Sequence, residues 1–187
     1  MKPIPSKKFG AGLLLGTVGV IALIAGLEGG RDKSGGSTVY ADKLAGGLPT
    51  VCEGLTRHVT STPIIVGEYW PKAKCDREAG AALITLQLRL ERCFVHMPPQ
   101  SVFDAATSHA WNNGVGATCG SVAMQKWRAG DWATGCARMA RDAAGKRVWS
   151  YVKTGKLLPN GKPQYVFVQG LANRRDTEVK RCMEDVR

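Results

Sequence analysis

Glu28, Asp42 and Thr50 are the residues of this chain whose types and spacing suggest chemistry. Glycoside hydrolysis needs one carboxylic acid to protonate the leaving oxygen and a second polar group to position a water or a nucleophile. Glu28 abuts an uncharged apolar stretch, where desolvation disfavours its ionised form, as a general acid requires. Asp42 and Thr50 flank Gly46-Gly47, so two neighbouring strands could bring them to one water. A Glu, an Asp and a Thr this close also arise by chance, and Asp42 equally suits a turn-forming side chain. The surrounding elements have to decide.

The stretch ahead of Glu28, from Phe9 to Leu27, holds 19 residues without a charge. As a helix it would span roughly 28 Å, about the thickness of a bilayer's hydrocarbon core. Lys2, Lys7 and Lys8 precede it and no acid does, which keeps the N-terminus cytoplasmic and sends the body outward. Cleavage as a signal peptide needs small residues at both positions of the site. Ends at Ala25 or Gly26 put Leu23 or Ile24 at the first of these. Nearly half the stretch is Gly, Ala or Thr, and each Leu or Ile favours insertion by only about 0.3–0.6 kcal/mol. It therefore reads as an uncleaved segment that holds the bilayer weakly and is able to leave it.

The 187 residues are 44% hydrophobic and 22% charged, enough for a real core in one domain or two small lobes. Net charge is +11, from 26 Lys and Arg against 15 Asp and Glu, which suits an anionic partner without choosing among them. The six cysteines, Cys52, Cys75, Cys93, Cys119, Cys136 and Cys182, all follow the apolar segment. An even number in an exported body reads as three disulfides. Neither a CxxC nor a His-containing metal spacing is present, so no metal and no cofactor are expected.

Residues 29–38 are rich in Gly, Ser and charge, a flexible connection. From Thr38 to Ile65, short β-prone runs (38–40, 49–52, 58–60 and 63–66) alternate with Gly pairs and Pro, which predicts a small antiparallel sheet. Pro71 suits a helix start. Ala79, Leu83, Leu86, Leu90 and Cys93 form one apolar stripe of a long helix, stopped by Pro98-Pro99. Further helices are expected over Ser101–Trp111, Ser121–Trp127, Trp132–Asp142 and Gln169–Val186. Pro159-Asn160-Gly161 marks a turn in a loop or hairpin over 153–165. The pattern is α+β, with a β-containing lobe over about 28–70, a helical lobe over 71–187 and a cleft between them. On one straight helix Cys75 and Cys93 would be roughly 27 Å apart, too far to pair. Cys119–Cys136 is the best local pair, with Cys52–Cys75 and Cys93–Cys182 following.

Several ordered motifs resemble the phage-type lysozymes, the endolysins that cut murein, and within them the signal-anchor-release class. Glu28-Gly29 at a helix end looks like the family's acidic residue. Tyr40-Ala41-Asp42, a Gly turn and Pro49-Thr50-Val51-Cys52 are similar to its Asp/Thr stretch. Phe103-Asp104-Ala105-Ala106, Asn113-Gly114-Val115-Gly116, Cys119-Gly120-Ser121 and Ala129-Gly130-Asp131-Trp132 look like positions of its helical lobe. Gly170-Leu171-Ala172-Asn173-Arg174-Arg175 with Glu178 resembles its C-terminal helix.

The resemblance implies a lysozyme-like fold hydrolysing the β-1,4 bond between N-acetylmuramic acid and N-acetylglucosamine in peptidoglycan. Glu28 would be the general acid, Asp42 would orient or activate the water, Thr50 would hold it, and Arg174 would hold the catalytic Glu. An inverting outcome would need carboxyl groups roughly 6.5–9.5 Å apart. It further implies an inactive form at the host inner membrane through residues 9–27, later released to the periplasm. A monomer with no nucleic-acid partner is expected.

Two departures stand out. Thirteen residues separate Glu28 from Asp42 and seven separate Asp42 from Thr50, longer than the family's gaps. The additions fall in Gly-rich loops, which absorb insertions at small entropic cost, but they make Asp32 a rival for Asp42. Glu53 is a weaker rival, and a His the family often carries is Leu55 here. Two alternatives remain: a non-catalytic, membrane-tethered module binding wall or nucleic acid, and a lytic transglycosylase using one acid on the same fold.

Overall fold

The computed structural model describes residues 14–28, 30–43 and 46–186. They fall into two compact units, residues 15–89 and residue 14 together with 90–186.

The first unit opens with α1 (Val18–Glu28), which buries Val20 and Ile24, one helical turn apart. The helix takes up only the later part of the apolar stretch. Gly16, at φ 61°, turns the chain just before it, and the Gly16 amide donates to Gln87 Oε1 at 2.8 Å. Residues 9–13 of the stretch, and Gly29, lie outside the described residues. Among the described residues no helix is long and apolar enough to cross a membrane.

Two small antiparallel ladders follow. β1 (Ser37–Thr38) pairs with β4 (Tyr69–Trp70), and β2 (Tyr40–Asp42) pairs with β3 (Leu48–Thr50). The expected strands over 58–60 and 63–66 are turns and irregular chain instead. Pro63 has no amide to give a ladder. The Thr60 and Thr62 hydroxyls both donate to Glu78 Oε2, at 2.9 and 2.8 Å, pulling this stretch onto the following helix. That helix, α2 (Lys72–Glu91), starts directly after Pro71 and buries Leu83, Leu86 and Leu90 along the expected stripe. It ends two residues before Cys93, whose amide closes a turn on the Leu90 carbonyl at 2.9 Å. Cys52 and Cys75 are bonded, with Cα atoms 5.8 Å apart.

The second unit is mostly helical: α3 (Gln100–Asn113), α4 (Val115–Cys119), α5 (Val122–Arg128), α6 (Trp132–Ala137) and α7 (Gln169–Cys182). Every residue of α3 from Ser101 to Ala110 is buried, and α3 packs along α7. Side-chain caps start α5 and α6: Ser121 accepts from the Met124 amide and Asp131 from the Thr134 amide. α6 stops well before Asp142, because the Asp142 carboxylate takes the amides of Ala144 and Lys146 (2.9 Å each) and builds a turn there. β5 (Tyr151–Leu157) and β6 (Pro163–Phe167) form the hairpin that Pro159-Asn160-Gly161 announces.

Two of the expected disulfide pairings are corrected. Cys119 bonds to Cys93, and Cys136 bonds to Cys182, with Cα separations of 5.5 and 5.6 Å. Nearness in sequence misleads here. Cys119 closes α4 before the capped helix α5 intervenes, whereas Cys136 sits on α6, which packs against α7 and its last residue Cys182.

Candidate active site

Glu28 is the last residue of α1. Two residues later Gly30 adopts φ 137°, and a β-carbon there would lie 2.4 Å from the Cys52 carbonyl oxygen. The chain leaving the Glu28 helix thus passes against the backbone at Cys52 with room only for glycine.

Asp42 and Thr50 stand on the β2–β3 hairpin. Its register pairs Tyr40 with Thr50, Ala41 with Pro49 and Asp42 with Leu48. Side chains directly opposite share a face and those two apart on a strand share it too, so Asp42 and Thr50 project from one side. Diagonal neighbours of this kind are separated by roughly 7–8 Å between backbones, with side chains closer. Thr50 is buried, and its hydroxyl donates to the Leu48 carbonyl at 3.0 Å. That use of its proton leaves oxygen lone pairs to accept from another donor. The Asp42 carbonyl takes the Gly47 amide at 2.7 Å, which closes the turn between the strands.

The rivals of Asp42 have structural tasks. Asp32 Oδ1 accepts from the Ser34 hydroxyl (2.6 Å), the Ser34 amide (2.8 Å) and the Gly36 amide (3.1 Å). The Ser34 hydroxyl and these amides hold its carboxyl below the usual range. Glu53 forms an ion pair with Arg31, which also reaches Asp76 at 2.6 Å. Arg31 thereby ties the segment after Glu28 to α2. Nothing in its sequence context signals that role beyond its charge.

Arg174 belongs to the second unit, in a buried polar cluster on α7. Glu178 Oε1 accepts from the Ser108 hydroxyl (2.8 Å), Arg174 Nε (3.1 Å) and Arg175 Nη2 (3.0 Å). Arg174 Nη2 also donates to the Ser108 carbonyl at 3.1 Å, and Arg175 Nη2 to Asn112 Oδ1 at 3.0 Å. Burial pushes the Glu178 carboxyl up, against the pull of the two guanidinium groups. Close by on α3, buried His109 contacts the Thr118 hydroxyl at 2.8 Å and meets the Trp149 ring edge-on. Burial, with Arg175 and Arg174 nearby, pushes its imidazole well below the ordinary range. Sequence reasoning reached Arg174 and Glu178 through the α7 motif. Ser108 and His109 carried no signal, because a buried serine and histidine look like any others until their neighbours are known.

The phage lysozyme family matches residues 32–178. This chain belongs to the phage lysozyme family. The matched span contains Asp42, Thr50 and Arg174, and Glu28 lies just ahead of it. No curated protein sequence matches the chain significantly. Among solved structures it is similar to an endolysin from Escherichia coli O157:H7 phage FAHEc1, at TM-score 0.72 and 22% identity, covering 95% of this chain and 98% of that one. It is also similar to the muramidase domain of SpmX from Asticaccaulis excentricus, at TM-score 0.66 and 19% identity, covering 89% and 96%. A point variant of P22 lysozyme follows at TM-score 0.64 and 16% identity, covering 92% and 100%. At these identities the likeness establishes the fold, which is α+β and lysozyme-like.

Proposed function

We propose that this phage lysozyme family member is an endolysin that hydrolyses the β-1,4 bond between N-acetylmuramic acid and N-acetylglucosamine in peptidoglycan. The observation that carries the proposal is the shared face of Asp42 and Thr50 on one hairpin, in a chain whose preceding helix ends on Glu28. The names of the similar structures, an endolysin, a muramidase domain and a lysozyme, support the substrate class.

In this mechanism Glu28 gives its proton to the glycosidic oxygen as the bond to the anomeric carbon breaks. A water on the opposite face of the sugar attacks the anomeric carbon. It donates one hydrogen bond to the Thr50 oxygen and loses its other proton to Asp42. The leaving sugar departs with the proton from Glu28, and the product has inverted configuration.

Residues 9–27 hold the precursor at the host inner membrane, and release delivers the monomeric enzyme to the periplasm. Burial of Val20 and Ile24 in the first unit supports this, since the stretch that would lie in the bilayer then supplies a helix of the folded domain. Anomer-resolved NMR of freshly digested murein tests the chemistry. Inverted hydrolytic ends are expected; anhydro ends or retained configuration contradict it. For the release, the active periplasmic protein is expected to keep its original N-terminus, and a start near residue 26 would refute an uncleaved anchor.

A further inference from the structure

Among the described residues the β5–β6 hairpin, residues 151–167, pairs with no other strand, and not one of its residues is buried. Its register places Tyr151 opposite Phe167 and Lys153 opposite Tyr165, so three aromatic rings and a lysine share one face. Tyr151 and Phe167 meet edge to face at 5.6 Å, yet Phe167 stays 47% and Tyr165 53% exposed. At the tip, the adjacent Leu157 (68% exposed) and Leu158 (40%) present apolar surface just before the turn, between Lys156 and Lys162. The hairpin carries three lysines and no acid. Neither leucine belongs to the core, so packing of the interior does not account for them.

We propose that this ribbon docks onto the surface of an anionic lipid bilayer. The chemistry is complementary at each level. Leu157 and Leu158 enter the headgroup–acyl boundary, and Tyr151, Tyr165 and Phe167 lie at the depth where amphipathic rings concentrate. Lys153, Lys156 and Lys162 meet the lipid phosphates, with their alkyl stems laid along the apolar surface. Such docking would keep the folded protein beside a membrane without a spanning segment. It does not depend on the catalytic assignments.

The test is co-sedimentation of the full chain with vesicles of phosphatidylcholine alone or mixed with phosphatidylglycerol. Residues 9–27 are common to every variant, so any insertion they cause cancels in the comparison. Wild type is expected to prefer the anionic vesicles, with the preference fading as salt screens it. The triple variant Lys153→Gln/Lys156→Gln/Lys162→Gln should lose roughly a hundredfold in partition to anionic vesicles and little to neutral ones. The double variant Leu157→Ser/Leu158→Ser should bind both less. All five positions are exposed, so folding is retained. An undiminished anionic preference in the triple variant overturns the proposal. So does unchanged vesicle binding with weakened binding to purified murein, which would make the ribbon a glycan platform.

Discussion

Asp42 and Thr50 occupy the same face of the β2–β3 hairpin, with Asp42 opposite Leu48 and Thr50 opposite Tyr40. Two polar groups on one diagonal can grip one water from two sides, a task neither performs alone. Asp42→Asn should lower murein hydrolysis by on the order of 10²–10⁴-fold, the usual weight of a positioned base. Thr50→Ala should cost activity as well, and Thr50→Ser should restore most of it, because the hydroxyl is kept. Asp32→Asn, which disturbs a turn, should alter stability more than turnover. Initial rates of turbidity loss on purified murein, alongside melting curves, distinguish these outcomes.

Gly30 is tested by its neighbour's backbone. Gly30→Ala would place a methyl group 2.4 Å from the Cys52 carbonyl oxygen at φ 137°. Strain of about 1–3 kcal/mol is the ordinary cost of such a conformation, before the clash is relieved. Denaturant unfolding of Gly30→Ala should show a clear loss, whereas Gly26→Ala, which meets nothing within 4 Å, should be neutral or stabilising.

The Glu178 cluster makes a different prediction. Glu178→Gln keeps the shape but leaves Arg174 and Arg175 as buried cations without their shared carboxylate. Removing one partner of a buried ion pair costs about 3–5 kcal/mol. Chemical unfolding should register that loss. A change under 1 kcal/mol would mean that the guanidinium groups are adequately served by their other partners.

His109 sets a pH dependence. Its folded-state pKa lies well below the ordinary value, through burial and the positive charge of Arg175 and Arg174. The unfolded chain therefore takes up a proton near pH 6.5 that the folded chain refuses. Stability should be full above about pH 6.5 and fall as the pH drops below it. Melting temperature measured from pH 8 to pH 5 should decline, and the part due to His109 should vanish in His109→Gln.

Features set by local chemistry were legible in the sequence. The Leu83–Leu86–Leu90 stripe gave α2, Pro159-Asn160-Gly161 gave the β5–β6 turn, and the Gly46-Gly47 pair put Asp42 and Thr50 on adjoining strands. What depended on distant partners was not legible. Residues 58–60 and 63–66 have strand-like composition, but the threonine hydroxyls answer to Glu78 on another element. Cys119 and Cys136 are close in sequence, yet their partners lie beyond intervening helices. Asp32, by its spacing a rival of Asp42, accepts from Ser34 and Gly36 in a local turn that the Gly- and Ser-rich composition of residues 29–38 does not specify.

The most direct test of the central claim is digestion of purified murein by Glu28→Gln, with its melting temperature measured beside wild type. The amide cannot supply the proton, so activity should fall by on the order of 10²–10⁴-fold while melting stays near the wild-type value. Full activity in Glu28→Gln would contradict the assignment of Glu28 as the general acid.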